Sequence, residues 1–239
     1  MAQYIWHKGD AGKDEYAEFF VKFAAAKGKI ATLKIACDGI YSAYLNGKLV
    51  AFSAFSDFPD YKLCDEIDIT DFCKAENEMK IVVWYFGVDS QTYIADKAGV
   101  VFEVTSDGKT VAQSDGHTLS RKMNEYKNGY LKPISRQLGL SYKYDNSVVK
   151  SEYAESAVVD MPVILHKKGI LPLELSPRLP IKIIKNDKSV LIDMGIEVAG
   201  FLEIDIVSPV VQNIIFAYGE HLKDGKVRRK VGTCDFSVE

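Results

Sequence analysis

The chain has 239 residues, 47% of them hydrophobic, with 30 Lys and Arg against 33 Asp and Glu and a net charge of -3. This composition excludes disorder, collagen and a coiled coil, and the missing basic surplus argues against a nucleic-acid partner. No apolar run approaches the roughly 20 residues that span a bilayer. Met1–Lys8 lacks the charged lead and apolar stretch of a signal peptide, so the expected compartment is the cytoplasm.

In chain order the dominant signal is short strands with period-two alternation, broken by turn residues. Phe19, Val21 and Phe23 read as one face of a strand stopped at Lys27-Gly28. Leu33, Ile35 and Cys37 alternate with Thr32, Lys34 and Ala36, and a second strand follows over Ile40–Leu45. Asn46-Gly47, Asp107-Gly108 and Asp224-Gly225 each stand between apolar runs. Such pairs mark hairpins, because a type I′ turn needs positive φ at both central residues. Thr70 reads as the N-cap of a single helical turn, with Asp71 favourable at its positive end. Met79–Phe86 is apolar on both faces and reads as a central strand of a two-layer core. Four of the seven prolines, Pro162, Pro172, Pro177 and Pro180, fall in 146–180, which reads as an extended connector. Leu202, Ile204 and Ile206 and then Ile214, Phe216 and Tyr218 suggest renewed strands. The expected architecture is all-β: a galactose-binding-like jelly-roll β-sandwich over 1–158, a connector over 159–180, and a second β-sandwich segment over 181–239. Cys234, Phe236 and Val238 still alternate at the last residue, so that segment is expected to be truncated and, after Pro180, either to self-associate through its open edge or to be locally disordered.

Little in the sequence carries chemistry. Cys37, Cys64, Cys73 and Cys234 form no Cys-x-x-Cys pair, and the four histidines stand singly, so four reduced thiols, no metal and no cofactor are expected. No nucleophile elbow, phosphate loop or zinc-protease motif is present. Asp65-Glu66-Ile67-Asp68 reads as a solvated strand face, and Glu220 as a turn or interface residue. Among the aromatic residues, Trp84 and Tyr85 read as core, whereas Trp6 and Tyr93 fall in expected loops and are better placed to stack on a sugar.

Ordered motifs along the chain carry a resemblance. Ala31–Lys48, with its strand, tyrosines and Asn-Gly-Lys turn, resembles a hairpin of bacterial α-L-rhamnosidase N-terminal domains (glycoside hydrolase family 78). Asp68–Asn77 is similar to their D-V-T-x-x-L-x-x-G-x-N stretch, except that Ala75-Glu76 stands where the glycine belongs. Ser135–Leu140, then Ile192–Gly195, Ala199–Phe201, Tyr218–Glu220 and Asp224-Gly225, resemble later motifs of the same region. The resemblance implies a parent enzyme that removes terminal L-rhamnose with inversion, using two carboxyl groups roughly 6.5–9.5 Å apart. In that family both carboxylates sit in an (α/α)6 barrel that follows the β domains. No catalytic residue is therefore transferred to this chain, which is expected to be a non-catalytic accessory region. The alternative is a stand-alone, lectin-like carbohydrate-binding module. Implied partners are a rhamnose-containing glycan and a catalytic domain in cis; no nucleic acid or membrane is implied.

The candidate sugar contacts lie in two loops. Asp57, Phe58 and Tyr61 occupy one, and Asp89, Gln91 and Tyr93 the other. Each mixes a ring that stacks on the apolar face of a sugar with polar groups for its hydroxyls, on loops that a sandwich holds in place.

Overall fold

The computed structural model describes residues 1–25, 28–52, 58–135, 139–162, 164–170 and 176–239. Among these there is strand, turn and a single 3-10 turn at Thr70–Phe72, with no α-helix. Among the described residues no helix is long and apolar enough to cross a membrane. The chain divides into two compact units, Met1–Lys132 with Tyr142–Leu171, and Pro133–Ser141 with Pro172–Glu239.

The first unit is a jelly-roll-type β-sandwich. Its strands are β1 (Ile5–Trp6), β2 (Glu15–Ala24), β3 (Ala31–Cys37), β4 (Ile40–Leu45), β5 (Lys48–Phe52), β6 (Lys62–Asp68), β7 (Glu76–Tyr85), β8 (Val100–Ser106), β9 (Lys109–Gln113) and β10 (Leu119–Lys122). One sheet runs Ala157–Val158, β1, β8, β3, β6, Leu165–Lys167, with β9 also on β8; the other runs Ala154–Glu155, β10, β2, β7, β4, β5. Apart from the β4–β5 and β8–β9 hairpins, successive strands pass from one sheet to the other. The segment 154–158 does so within five residues, closing an edge of each.

Period-two patterning decides which side chains meet between the sheets. Along β7, Asn77, Met79, Ile81 and Val83 are buried while Glu76, Glu78 and Lys80 face water. Phe19 and Phe23 of β2, Leu33 and Ile35 of β3, and Val100, Phe102 and Val104 of β8 complete the apolar layer. β2 and β7 pair over ten positions, from Glu15↔Tyr85 to Ala24↔Glu76. The three Asx-Gly turns adopt the backbone their sequences demand: Asn46 and Gly47 have φ of 52° and 82°, Asp107 and Gly108 53° and 73°, Asp224 and Gly225 51° and 72°.

Three expectations change. The helical turn has Ile69, not Thr70, at its N-cap and no side-chain cap bond there; Asp68 Oδ1, one residue earlier, accepts from Thr70 N at 2.9 Å and from Thr70 Oγ1 at 2.5 Å. Thr70 Oγ1 in turn accepts from Ala31 N, so the threonine is spent tying the turn to β3. The stretch 159–180 is not connector throughout, because Leu165–Lys167 adds to β6 as a parallel edge strand. Charge holds it there, with Lys167 on Glu66 at 2.7 Å and Lys168 on Asp65 at 3.0 Å. Finally, Leu202, Ile204 and Ile206 form no strand and are 60%, 46% and 46% exposed. Their alternation finds no pairing partner, and a strand needs one.

The second unit consists of short antiparallel ribbons. The longest joins Lys182–Asn186 to Ser189–Asp193, and Phe216–Ala217 pairs with Ser237–Val238. Among its described residues only Ser141 and Ser237 are buried, the Ser141 hydroxyl donating to the Ser237 carbonyl at 2.7 Å.

Candidate functional site

At the end of β3 the chain turns sharply through Asp38-Gly39. Gly39 has φ +99°, and a Cβ there would lie 2.1 Å from the Trp84 carbonyl oxygen, so only glycine fits. The corner leaves the Asp38 side chain fully buried. Lys62 Nζ donates to its Oδ1 at 2.6 Å, and the Tyr93 hydroxyl donates to its Oδ2. Burial pushes the Asp38 carboxyl above its ordinary range, and Lys62 and Tyr93 pull it back. Lys62 directly follows Tyr61, and Tyr93 belongs to the β7–β8 loop. One buried carboxylate therefore anchors both loops singled out by sequence, at the same end of the sandwich.

The individual candidates fare differently. Phe58 and Tyr61 pair across a tight turn and are 55% and 50% exposed. Tyr61 lies face to face with His166, ring centroids 3.9 Å apart and planes 13° apart. Asp57 lies outside the described residues. Gln91 is exposed. Asp89 is exposed as well, but its Oδ1 accepts from Ala95 N at 2.9 Å and closes its own loop. Tyr93 departs from expectation: it is 2% exposed, with its hydroxyl on Asp38 and its ring edge-on to Phe86, and presents no stacking face. Trp6 is likewise buried, in β1 rather than a loop, with Nε1 donating to Glu15 Oε1 at 3.2 Å. Both rings are drawn inward because each carries a polar handle that a buried carboxylate satisfies.

Glu15 is a second buried acid at this end. It accepts from Lys122 Nζ at 2.5 Å and Gly12 N at 3.0 Å, and its Oε1 lies 2.6 Å from His7 Nε2. Burial alone would raise its pKa, but the hydrogen bonds from His7, Lys122 and Gly12 outweigh it and hold the group down at about 2. Glu15 and Asp38 are thus committed to internal partners. Asp65 faces the Tyr41 hydroxyl at 2.7 Å, Glu66 pairs with lysines, and Glu220 is exposed in a bend of the second unit. Among the described residues no three His, Cys, Asp or Glu side chains form a group able to hold a metal ion. What this end offers a ligand is the exposed Phe58, the Tyr61–His166 stack and the neutral polar Gln91. His166 escaped sequence reasoning, since a lone histidine in a proline-marked stretch carries no signal that it adds to a sheet edge.

No protein-family model and no curated protein matches this chain. Solved structures do. The family 78 rhamnosidase of Bacillus sp. GL1 aligns with a TM-score of 0.66 at 20% identity, covering 76% of this chain and 21% of that enzyme. The α-L-rhamnosidase of Aspergillus terreus aligns with a TM-score of 0.70 at 17% identity, covering 99% of this chain and 31% of that one. A third, from Dictyoglumus thermophilum, gives 0.56 at 17% identity, over 81% and 25%. The chain has the fold of part of these α-L-rhamnosidases and spans between a fifth and a third of their length.

Proposed function

We propose that the chain is a non-catalytic accessory region of an α-L-rhamnosidase-like glycoside hydrolase, packing beside a catalytic domain and contacting a rhamnose-containing glycan. The observation that carries this reading is coverage: 99% of the chain aligns with the Aspergillus terreus enzyme while accounting for 31% of it. The ordered motifs of the sequence point the same way. The surface supports a sugar contact through Phe58, Tyr61, His166 and Gln91, a combination of flat rings and neutral hydrogen-bonding groups.

Two measurements test it. The isolated chain should not turn over aryl α-L-rhamnosides; steady hydrolysis abolished by replacing one of its Asp or Glu residues would overturn the accessory reading. NMR titration with L-rhamnose should move the resonances of Phe58, Tyr61, Gln91 and His166, and Tyr61→Ala should remove the effect. Silence of these residues at millimolar sugar would sink the loop contact while leaving the accessory role standing. The second reading, a stand-alone carbohydrate-binding module, draws on the same exposed Tyr61–His166 stack. It gains if the chain binds glycan tightly by itself and shows no affinity for a rhamnosidase catalytic domain supplied in trans.

A further inference from the structure

We propose that a second, tyrosine-lined surface, on the outer face of the β2–β7–β4 sheet, binds the pyranose rings of a neutral glycan. The proposal rests on the reading of the chain as a glycan-associated sandwich, but its site is separate from Tyr61 and His166.

The surface is built from β2 and β7. Tyr16 alternates with the inward Ala17 and pairs in register with Trp84, so both rings lie on the outer side of the sheet. They stack at 4.9 Å and 20°. Tyr126, on the segment that follows β10, lies flat on the same Tyr16 ring at 3.9 Å and 6°. Tyr142 and Tyr144 come from an extended stretch whose Tyr144 pairs with Tyr126. Being two residues apart, they project to the same side. Both stand steeply to Tyr126, at 71° with centroids 5.7 Å apart and at 66° with centroids 4.9 Å apart. Tyr142 is also edge-on to Trp84, at 6.3 Å. A half-buried floor, Tyr126, is therefore flanked by two upright rings that are 37% and 36% exposed.

Two observations choose the ligand. Apolar residues that seal against protein are usually aliphatic as well as aromatic, yet here the lining is tyrosine, which offers a flat face to a sugar ring and a hydroxyl to its hydroxyls. The charges beneath this surface are spent: Arg121 is bidentate to Glu125 at 2.9 and 2.7 Å and also donates to Glu18 at 2.9 Å, all three being buried. That network keeps Arg121 from meeting an anionic ligand.

The test is titration of the full chain with neutral rhamno-, galacto- and gluco-oligosaccharides, read by NMR at residues 126 and 142–144 and by tryptophan fluorescence. Trp6 is buried against Glu15, so the change should come from Trp84 and vanish in Trp84→Phe. The double variant Tyr142→Ala/Tyr144→Ala should weaken binding at least tenfold at unchanged thermal midpoint, while Tyr142→Phe/Tyr144→Phe, which keeps the rings, stays within severalfold. Tyr61→Ala should leave this site unaffected. Shifts confined to Tyr61 and His166 would overturn this proposal and keep the loop reading. So would unchanged affinity in the alanine pair, or tighter binding of a sulfated oligosaccharide than of neutral ones. Loss of a protein–protein contact in the alanine pair, with no sugar bound by the parent chain, would assign the surface to protein docking and overturn it too.

Discussion

Glu15 shows how one side chain is held by its surroundings. Its pKa stands at about 2 against an ordinary 4.5, the ionised form being favoured by Lys122, His7 and Gly12 N. A carboxylate with a depressed folded pKa stabilises the fold above its unfolded pKa and loses that contribution as pH falls through the folded one. Here the window runs from about pH 5 down to about 2, and the shift corresponds to about 3 kcal/mol. Glu15→Gln should therefore lower stability by about that amount at neutral pH, and its deficit should shrink as urea titrations move from pH 5 toward pH 2. A constant deficit across that range would show that packing, not charge, sets the cost. Gly39 gives a second residue-level expectation. With φ +99° and a Cβ position 2.1 Å from Trp84 O, Gly39→Ala must displace backbone, and the urea midpoint should report a loss of about 3 kcal/mol or more. Gly47 also has positive φ, at +82°, but open space around it, so Gly47→Ala should cost only about 1 kcal/mol.

Strand by strand, stability follows the length of the ladder and the burial beneath it. β2 and β7 share ten paired positions and lie inside their sheet, with β10 beyond β2 and β4 beyond β7. Hydrogen exchange should find the amides of 15–24 and 76–85 the slowest in the chain. The Lys182–Asn186/Ser189–Asp193 ribbon, with only Leu191 even half-buried, should exchange within the dead time. Ile81→Ala removes a side chain 1% exposed between the sheets and should cost about 2–5 kcal/mol. Lys80→Ala, one residue along and facing water, should stay within about 0.5 kcal/mol. Equal effects at the two positions would mean that β7 does not keep its period-two burial in solution.

For the molecule as a whole, the second unit raises the question of what covers it. Val207, Val211, Phe201 and Leu202 are 98%, 87%, 61% and 60% exposed, and no apolar side chain among the described residues of this unit is buried. Apolar exposure on this scale points to a contact surface. The isolated chain should self-associate as its concentration rises, through this unit, and Val207→Glu/Val211→Glu should return it toward monomer in sedimentation velocity. A clean monomer at high concentration, with the amides of 181–239 as protected as those of 31–52, would show that these residues are covered within one chain.

The sequence by itself determined the all-β class, the position of β2 to β5 and β7 to β9 and three hairpin turns, because alternation and Asx-Gly pairs are local properties: they depend on neighbours one to three residues away. It also marked Phe58, Tyr61 and Gln91, which the structure leaves exposed. Only the tertiary structure decided the rest. Whether Tyr93 faces a ligand or Asp38 depends on a corner 55 residues away. Tyr61 meets His166 because a short strand adds in parallel to β6, and parallel pairing carries no local signature. The expected strand at 202–206 failed for the converse reason: an alternating pattern states which side could be buried, and something else in the fold must supply the surface that buries it. The outer tyrosine surface was illegible for the same cause, its rings coming from positions 16, 84, 126, 142 and 144, which meet only when the sheet is formed.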